Sequence, residues 1–332
     1  MATLITGGTG LIGAVLADLL LRRGERVVLL DAAPAEWRTG DLAATAAGRL
    51  HVVRGDVTSL VDLLDAIRTH GVTAVVHLAY VLGAESNANP ELATRVNIMG
   101  TTNVLEAARL GGVARVLLAS SIAVYGRDEQ YPADRLPLEE DAPLYVASGL
   151  PVYGGGKVYL EHLGAHYARR YDLVVAGLRP SIVYGWGRQR GASVFAGELV
   201  DRAAVGEPVT VGFGDAWVSL VYVDDVAEQF LALLDADPAR FARRRFFNTG
   251  GDAVTVRELA DTVRRLVPGA AIEVRAAGER DVAGLAARVS DRALVEAVGA
   301  RRRFTPIEVG VREHVAVARR RAGRAPLAEG RA

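Results

Sequence analysis

The stretch "TGGTGLIG" at residues 6–13 decides the fold. A short apolar run, "ATLIT", ends at its first residue, and an apolar helical pattern, "LIGAVLADLLLRR", begins within it. In this strand-turn-helix setting Gly7 permits a tight turn, Gly10 lets backbone amides approach a pyrophosphate, and Gly13 lets helix and strand pack closely. The turn is therefore predicted to bind a dinucleotide through Gly7, Gly10, Leu11, Ile12 and Gly13.

Short strands alternate with longer helices up to about residue 180. Runs such as "RVVLL", "LHVVRG", "AVVHLA" and "ARVLLAS" are separated by patterns such as "LVDLLDAIRTH". This order predicts an α/β fold, a doubly wound parallel sheet (Rossmann) with helices on both faces. We expect residues 1–180 to form an NAD-binding domain that also carries the catalytic groups. Residues 181–322 are expected to be mainly a smaller interleaved substrate-binding region, some of whose elements return to the first domain, and residues 323–332 a tail.

Composition excludes several classes of function. The chain has 332 residues, and its 39 basic and 39 acidic residues cancel, which gives no electrostatic footprint for nucleic acid or an anionic membrane. The absence of cysteine excludes a disulfide framework, a thiolate metal site and a cysteine nucleophile. The six histidines lack metal-ligand spacing, so we predict no metal. No signal peptide and no long apolar run are seen, which indicates a cytoplasmic small-molecule enzyme.

An acidic residue ends the second strand, "VVLLD". Asp31 lies where a carboxylate accepts hydrogen bonds from an adenosine ribose and repels a 2′-phosphate, which favours NAD over NADP. The alternative, that Asp31 merely starts a loop, is less favoured because the glycine turn precedes it. Asp56 and Val57, just past the third strand, are expected to border the adenine.

The reactive groups are expected at the carboxyl edge of the sheet, where doubly wound folds bind ligands. The fifth strand ends in "ASSIAVYG", which places Ser121 there. Tyr153 and Lys157 follow with a spacing of four, so they share one face of a helix. A lysine ammonium favours phenolate and is expected to lower the tyrosine pKa. Tyr153 would then take the proton of a secondary alcohol while Ser121 holds the same oxygen.

Three consecutive glycines lie between that tyrosine and lysine. Gly154, Gly155 and Gly156 together oppose helix by about 3 kcal/mol. If Pro151 is in the first helical turn, the missing side chains leave room for cofactor, substrate or a neighbouring backbone. The alternative is that the glycines form a loop and the Tyr-Lys spacing is coincidental.

These motifs together resemble the extended short-chain dehydrogenase/reductase superfamily, of the NAD-dependent epimerase/dehydratase type. The resemblance covers most of the chain, through "TGGTGLIG", "HLA" (77–79), "VNIMGT" (96–101), "SSIAVYG" (120–126), the Tyr153/Lys157 pair, "LRPSIVYG" (178–185), "VYVDDVA" (221–227) and "FNTGG" (247–251). It implies catalytic roles for Ser121, Tyr153 and Lys157. It further implies cofactor contacts at Leu78, Ala79, Tyr80, Asn97, Pro180 and Val183, besides Tyr153 and Lys157. The substrate contacts that it implies are Val81, Ser86, Ile122, Ala123 and Ile182, with Ser121 and Tyr153.

Two departures from the family pattern concern the substrate. Members that act on nucleotide-diphosphate sugars usually carry an arginine where this chain has Val218, and an asparagine where it has Ile182. Apolar residues there would leave phosphate charge unpaired, which is costly. The sequence leaves open whether an arginine elsewhere compensates, the candidates being Arg188, Arg190, Arg275 and Arg280.

A local similarity indicates a smaller substrate. The stretch "HLAYVLGAESNANPELATRVN" (77–97) resembles the small-substrate dehydrogenases of the superfamily, such as those similar to L-threonine dehydrogenase. The alternative for Ser86, Asn87 and Asn89 is an ordinary polar loop closed by Pro90.

Three functions therefore stay open. The first is an NAD-dependent oxidoreductase that takes hydride from a secondary alcohol of a small polar substrate, sugar-like, a hydroxy acid or an amino acid. The second is a nucleotide-sugar 4-epimerase or dehydratase with tightly bound NAD. The third is a non-catalytic NAD-sensing protein. The resemblance also implies a homodimer through the helices around 98–110 and 157–170, although burial in the core explains their apolar stripes equally well.

Overall fold

The computed structural model describes residues 1–146, 149–191, 194–241, 243–276, 285–299 and 304–327. The strands are β1 (Ala2–Thr6), β2 (Arg26–Asp31), β3 (Leu50–Arg54), β4 (Ala74–His77), β5 (Arg115–Ala119), β6 (Val174–Arg179), β7 (Ile182–Tyr184), β8 (Val209–Val211), β9 (Trp217–Tyr222), β10 (Phe246–Asn248), β11 (Asp252–Thr255) and β12 (Ile272–Val274). The α-helices are α1 (Leu11–Arg22), α2 (Glu36–Thr45), α3 (Leu60–His70), α4 (Gly83–Ala88), α5 (Pro90–Ala93), α6 (Gly100–Leu110), α7 (Pro151–Tyr171), α8 (Val194–Val205), α9 (Val223–Asp235), α10 (Val256–Leu266), α11 (Arg292–Val298) and α12 (Ile307–Arg321).

A parallel sheet of seven strands forms the centre of the molecule, in the order β10-β6-β5-β4-β1-β2-β3. In β1, Leu4 lies opposite both Val28 and Val75, and every residue of the strand is buried. Continuous apolar runs of this kind are expected where helices cover both faces of a sheet. The prediction of a doubly wound α/β fold is confirmed. The strand order reverses between β1 and β4, so a crevice opens at their carboxyl ends.

The second half of the chain is interleaved with the first. It contributes a three-stranded sheet, β11-β9-β7, and a two-stranded sheet, β12-β8. It also returns β10 to the edge of the main sheet beside β6 and packs α9 against α1. Arg23, directly after α1, pairs with Asp235 at the end of α9, with Arg23 Nη1 2.7 Å from Asp235 Oδ2. The elements before and after residue 180 are therefore not physically separate units.

A buried polar network joins helix α7 to the sheet and to its edge strand. Arg179 of β6 pairs with Glu161 of α7 at 2.7 Å, and both side chains are almost completely buried. Ser120 donates to the same carboxylate at 2.5 Å. Arg179 also donates to the Tyr125 hydroxyl, which donates to Asn248 Oδ1 of β10 at 3.1 Å. Removing one partner of a buried ion pair of this kind costs about 3–5 kcal/mol, so the network fixes α7 on the sheet.

Helix α7 begins at Pro151, as the sequence indicated, and continues unbroken to Tyr171. The three glycines therefore lie inside the first turns of a helix rather than in a loop. Before α6, residues Thr94–Met99 form a π-helical segment that continues directly into it. None of the helices within the described residues is long and apolar enough to cross a membrane.

Candidate active site

The glycine turn lies at the carboxyl end of β1. Gly7 has a φ of +63°, and a Cβ on it would lie 2.8 Å from the Ala79 backbone nitrogen, so only glycine fits there. A Cβ on Gly13 would lie 2.6 Å from the Gly8 carbonyl oxygen. Helix α1 follows Gly10 without a side-chain cap and without an acidic residue in its first turn. Its first N–H groups are therefore available to an anion.

Asp31 lies beside the glycine turn. Its Oδ2 accepts hydrogen bonds from the Thr9 hydroxyl at 2.7 Å and from the Thr9 N–H at 3.3 Å, and its Oδ1 accepts from the Ala33 N–H at 3.1 Å. Thr9 Oγ1 accepts in turn from the Ala35 N–H at 3.2 Å. The carboxylate is thus held at the end of β2 at the edge of the crevice.

The two residues expected at the adenine have different environments. Asp56 is exposed, and its carboxylate accepts from the Thr58 N–H at 2.8 Å. Val57 is buried, and a Cβ added to Gly100 of α6 would lie 2.7 Å from its Cγ2. Asp56 therefore faces outward, while Val57 packs beneath it against α6.

The side chain of Asn97 fixes the segment after β4 through hydrogen bonds. The Asn97 side-chain carbonyl accepts from the Val81 N–H at 2.7 Å, and its amide donates to the Val81 carbonyl at 3.1 Å and to Ser86 Oγ at 3.4 Å. Leu78, Ala79 and Tyr80 are partly buried along this segment. Asn97 therefore holds the backbone at Val81, directly after the segment expected at the cofactor.

The polar residues after this segment bond mainly to the protein itself. Ser86 is completely buried and donates to the Val81 carbonyl at 2.5 Å. Asn87 donates to the Gly149 carbonyl at 2.8 Å and accepts from the Val152 N–H at 3.3 Å, which ties α4 to the start of α7. Asn89 caps α5. This geometry favours the polar-loop alternative over direct substrate contact.

The structure brings Ser121, Tyr153 and Lys157 together at the end of β5. Ser121 Oγ accepts from the Ala123 N–H at 3.1 Å and lies within hydrogen-bonding reach of the Tyr153 phenol. Lys157 Nζ lies 5.4 Å from the centre of the Tyr153 ring. The predicted juxtaposition of the three side chains is therefore present in the fold.

The pKa of the Tyr153 phenol differs from the expectation. Burial raises the pKa of the Tyr153 phenol, and the hydrogen bond to Ser121 and the charge of Arg188 only partly oppose that rise. The expected lowering of the pKa of Tyr153 by Lys157 does not appear, because the cost of burying a phenolate outweighs the charges around it. Lys157 is affected in the opposite direction: burial lowers its pKa to about 7, while the charge of Glu161 opposes the fall.

Lys157 is held by two groups that the sequence did not associate with it. Its Nζ donates to the Ala119 carbonyl at 2.5 Å and lies 3.3 Å from the centre of the Tyr80 ring. Tyr80 also meets Tyr153 edge to face, with ring centres 5.6 Å apart. The ammonium therefore lies between a carbonyl and an aromatic face.

The glycines before Lys157 have separate explanations. A Cβ on Gly154 would lie 2.5 Å from the Ala123 carbonyl oxygen, and one on Gly156 would lie 2.6 Å from the Tyr80 hydroxyl. Nothing lies within 4 Å of the equivalent position on Gly155. The missing side chain therefore makes room for neighbouring backbone at Gly154 and for the Tyr80 side chain at Gly156.

The remaining residues expected at the substrate or cofactor are largely core. Ile122 and Ala123 are buried in a 3₁₀ turn, with Ile122 packed in a small apolar cluster that includes Tyr125. Ile182 and Val183 belong to the main core. The Pro180 carbonyl accepts from the Ile122 N–H at 3.1 Å. Any contact of these residues with ligand is therefore restricted to their exposed edges or backbone.

Arg188 approaches the Tyr153 phenol from the segment after β7. It is partly buried, with its Nε atom buried, and its charge acts on the pKa of Tyr153. Gly191 and Gly197 leave room for it, since added Cβ atoms would lie 3.1 Å from its Nη2 and 2.9 Å from its Cβ. The sequence indicated Arg188 only as one of four possible compensating arginines. Of the others, Arg190 and Arg275 are exposed, and Arg280 lies outside the described residues.

Comparison with known proteins agrees with this geometry. The profile of the NAD dependent epimerase/dehydratase family matches residues 3–248. The chain belongs to the NAD dependent epimerase/dehydratase family. As a family member it is an NAD-dependent enzyme, which confirms the expectation of NAD and of an oxidoreductase or epimerase.

Similar proteins in this family are named both as epimerases and as dehydrogenases. UDP-glucose 4-epimerase of Mycolicibacterium smegmatis is 32% identical over 264 residues, 78% of this chain and 80% of that protein. D-erythronate dehydrogenase of Cupriavidus necator is 32% identical over 295 residues, 85% of this chain and 86% of that protein. The crystal structure of Thermus thermophilus UDP-glucose 4-epimerase in complex with NAD superposes with a TM-score of 0.81 at 29% identity, covering 96% of this chain and 99% of that one.

The residues present fit NAD. The uncapped start of α1 suits a pyrophosphate, the approach of Gly7 to Ala79 leaves no room for a side chain in the turn, and Asp31 is placed for a ribose. Within the described residues, no group of three or more histidine, aspartate or glutamate side chains is arranged to hold a metal ion.

Proposed function

We propose that this family member is an NAD-dependent dehydrogenase that oxidises a secondary alcohol of a small polar substrate, with Tyr153 as general base. The observation that carries the choice of a small substrate is that Val218 and Ile182, which stand where nucleotide-sugar enzymes usually have arginine and asparagine, are apolar and buried. Both are buried, with 2% and 5% of their surfaces exposed, and both belong to the main core. A pyrophosphate would find neither cation nor amide there, and unpaired charge is costly to bury. The name of the Cupriavidus necator relative, D-erythronate dehydrogenase, supports a hydroxy acid.

The proposed roles follow from the side-chain positions. Tyr153 takes the proton of the substrate hydroxyl, and Ser121 donates a hydrogen bond to the same oxygen. Lys157, when charged, stabilises the phenolate that Tyr153 becomes after losing its own proton. NAD, when bound, supplies the acceptor for the hydride. Gly7, Gly10, Leu11, Ile12 and Gly13 would hold its pyrophosphate, and Asp31 its adenosine ribose.

Arg188 supports an anionic substrate. A partly buried guanidinium whose charge reaches the Tyr153 phenol is placed to bind a carboxylate attached near the reacting alcohol. Arginine matches the planar, two-oxygen geometry of a carboxylate. It would match a phosphate as well, so Arg188 alone does not separate a hydroxy acid from a nucleotide sugar.

A substrate screen tests the proposal. The protein is incubated with NAD and with hydroxy acids, hydroxy amino acids, free sugars or UDP-sugars, while absorbance at the reduced-nicotinamide band is followed. Accumulating NADH with an unlinked substrate supports the dehydrogenase. Interconversion of UDP-sugars without NADH would replace it by the second candidate, a 4-epimerase or dehydratase that keeps its NAD, which the name of the Mycolicibacterium smegmatis relative favours. Tight NAD binding with no turnover of any substrate would support the NAD-sensing alternative.

We further propose a homodimer. Large apolar side chains are exposed on or beside α6 and α7: Met99, Leu110, Tyr159 and Tyr171 are 50%, 47%, 48% and 42% exposed. Exposed apolar groups concentrated on two neighbouring helices are typical of an interface. Light scattering on the purified protein tests this, with Tyr159→Arg expected to give monomer. The cytoplasmic location and the boundary at residue 180 likewise stay proposals.

A further inference from the structure

We propose that Tyr80 is a positioning residue for Lys157: its ring holds the ammonium against the Ala119 carbonyl, and Gly156 provides the space for its hydroxyl. The inference rests on the proposed role of Lys157 in proton transfer. It does not depend on which substrate the enzyme uses.

The ring of Tyr80 lies closer to the ammonium than the ring of Tyr153 does. Lys157 Nζ lies 3.3 Å from the centre of the first ring, against 5.4 Å for the second. A cation over an aromatic face is attracted by the ring quadrupole, most strongly where water is excluded. The Ala119 carbonyl accepts a hydrogen bond from the same nitrogen at 2.5 Å. Because the lysine side chain is flexible, these two contacts decide where its charge lies.

Gly156 and Tyr80 are matched in size. A Cβ on Gly156 would lie 2.6 Å from the Tyr80 hydroxyl, and the next side chain, Ile98, would be 3.7 Å away. Any residue but glycine would thus displace the Tyr80 hydroxyl and disturb the position of the ring over the lysine. This requirement explains why the chain accepts a poor helix former one residue before Lys157.

The hydroxyl of Tyr80 is not what holds the ring. The Tyr80 oxygen is buried and has no hydrogen-bond partner among the described residues, so its removal leaves no partner unsatisfied. The edge-to-face contact with Tyr153 involves the ring and not the hydroxyl. Tyr80→Phe should therefore preserve the position of Lys157, whereas Tyr80→Leu should lose it.

Lys157 is the only lysine in the sequence, which makes a direct test possible. Protein grown with ¹³C,¹⁵N-lysine carries one labelled side chain, so its Hε and Cε resonances are unambiguous. An aromatic ring over the ammonium shifts the Hε protons upfield, and the Cε shift reports the pKa. Both are measured on ligand-free protein, independently of any activity.

The wild type and Tyr80→Phe are expected to show the upfield Hε shift and a depressed Lys157 pKa. Tyr80→Leu should lose the upfield Hε shift, because leucine has no aromatic face over the ammonium. Lys157 resonances that stay unchanged in a folded Tyr80→Leu protein would overturn the proposal.

A second pair of variants covers the case in which Tyr80→Leu does not fold. Gly156→Ala should reduce the Hε ring shift in the wild-type background, because it displaces the Tyr80 hydroxyl, and should reduce it less in Tyr80→Phe. Equal effects of Gly156→Ala in both backgrounds would refute the size match. Turnover is measured in parallel: a lower kcat with little change in KM is expected for Tyr80→Leu. Correct NMR results with no turnover in the wild type would count against the proposed function alone.

Discussion

Trp37 of α2 and Trp186, which follows β7, meet edge to face with ring centres 5.3 Å apart. Beside them Arg38 donates from Nη2 to the Gly187 carbonyl at 2.5 Å. Trp37 lies in α2. The residue before this helix is held to the glycine turn, because the Ala35 N–H donates to the Thr9 hydroxyl. The contact therefore joins the nucleotide side of the crevice to the segment that carries Arg188.

We expect this contact to slow the release of NAD. Arg38→Ala should raise the dissociation rate of NAD about tenfold, since one hydrogen bond to a charged group is worth about 1.4 kcal/mol or more. Stopped-flow tryptophan fluorescence measures the rate, because two of the three tryptophans lie in the contact. Trp217→Phe is the matched control, since Trp217 is 53% exposed on β9. An unchanged rate in Arg38→Ala would exclude the contact as a barrier to release.

Tyr153→Phe should abolish turnover while leaving NAD affinity nearly intact. Loss of a general base lowers the rate by about 10²–10⁴-fold, and the phenol contributes no contact to the glycine turn. Steady-state kinetics and calorimetric NAD titration measure the two effects. Tyr159→Phe, exposed on the same helix, should retain full activity. Substantial residual activity in Tyr153→Phe would refute the role given to Tyr153.

Asp31→Ala should relax the preference for NAD over NADP. The carboxylate at the end of β2 repels a 2′-phosphate, and its removal frees the Thr9 hydroxyl and N–H that it now accepts from. The ratio of the dissociation constants for NADP and NAD should fall about tenfold, which corresponds to about 1.4 kcal/mol. Asp65→Ala, an exposed change on α3, is the control. Unchanged discrimination would count against Asp31.

Arg188→Gln should raise KM for a carboxylate-bearing substrate by about tenfold or more, because a charge-assisted contact is lost. Uncharged alcohols should be affected little. The screen described above supplies the substrates, and Arg190→Gln is the control because Arg190 is exposed two residues away. Equal losses on charged and uncharged substrates would indicate a structural role instead.

His77 should make the fold sensitive to acid. Its ring is bonded to the Thr6 hydroxyl at 2.7 Å and to the Thr101 hydroxyl at 3.1 Å, and burial, aided by the charge of Lys157, lowers its pKa from 6.5 to about 3. Between those values the unfolded chain binds a proton that the folded chain does not. The contribution of His77 is therefore fully present above pH 6.5 and is lost as pH falls toward 3, by a few kcal/mol. Urea unfolding at several pH values measures this. The free energy of unfolding should fall less at acid pH in His77→Asn than in the wild type, and an identical pH dependence of the two proteins would contradict the assignment.

Local patterns in the sequence were sufficient for the fold and for part of the site. The glycine turn and the Tyr153/Lys157 spacing are set within one turn or one helix, where period and propensity determine the geometry. The contacts of Lys157 with Tyr80, of Tyr153 with Arg188 and of Trp37 with Trp186 join distant segments, and no local pattern encodes them. Burial of the phenol, which reversed the expected pKa of Tyr153, depends on packing in the same way. Packing between distant segments also buries Ile122 and Ile182, which the sequence indicates as substrate contacts, in apolar clusters of the protein.

The return of β10 to the edge of the main sheet limits how such an enzyme can be re-engineered. Asn248 receives a hydrogen bond from Tyr125 and donates its N–H to Glu140 at 2.8 Å. Arg179 donates to the same Tyr125 hydroxyl and pairs with Glu161 of α7, so strand β10 and helix α7 share one polar framework. A chimaera that exchanges everything after residue 180 for the corresponding part of a relative would cut that framework. Grafts intended to alter specificity should keep residues 246–248 with the amino-terminal half and replace only the elements on either side.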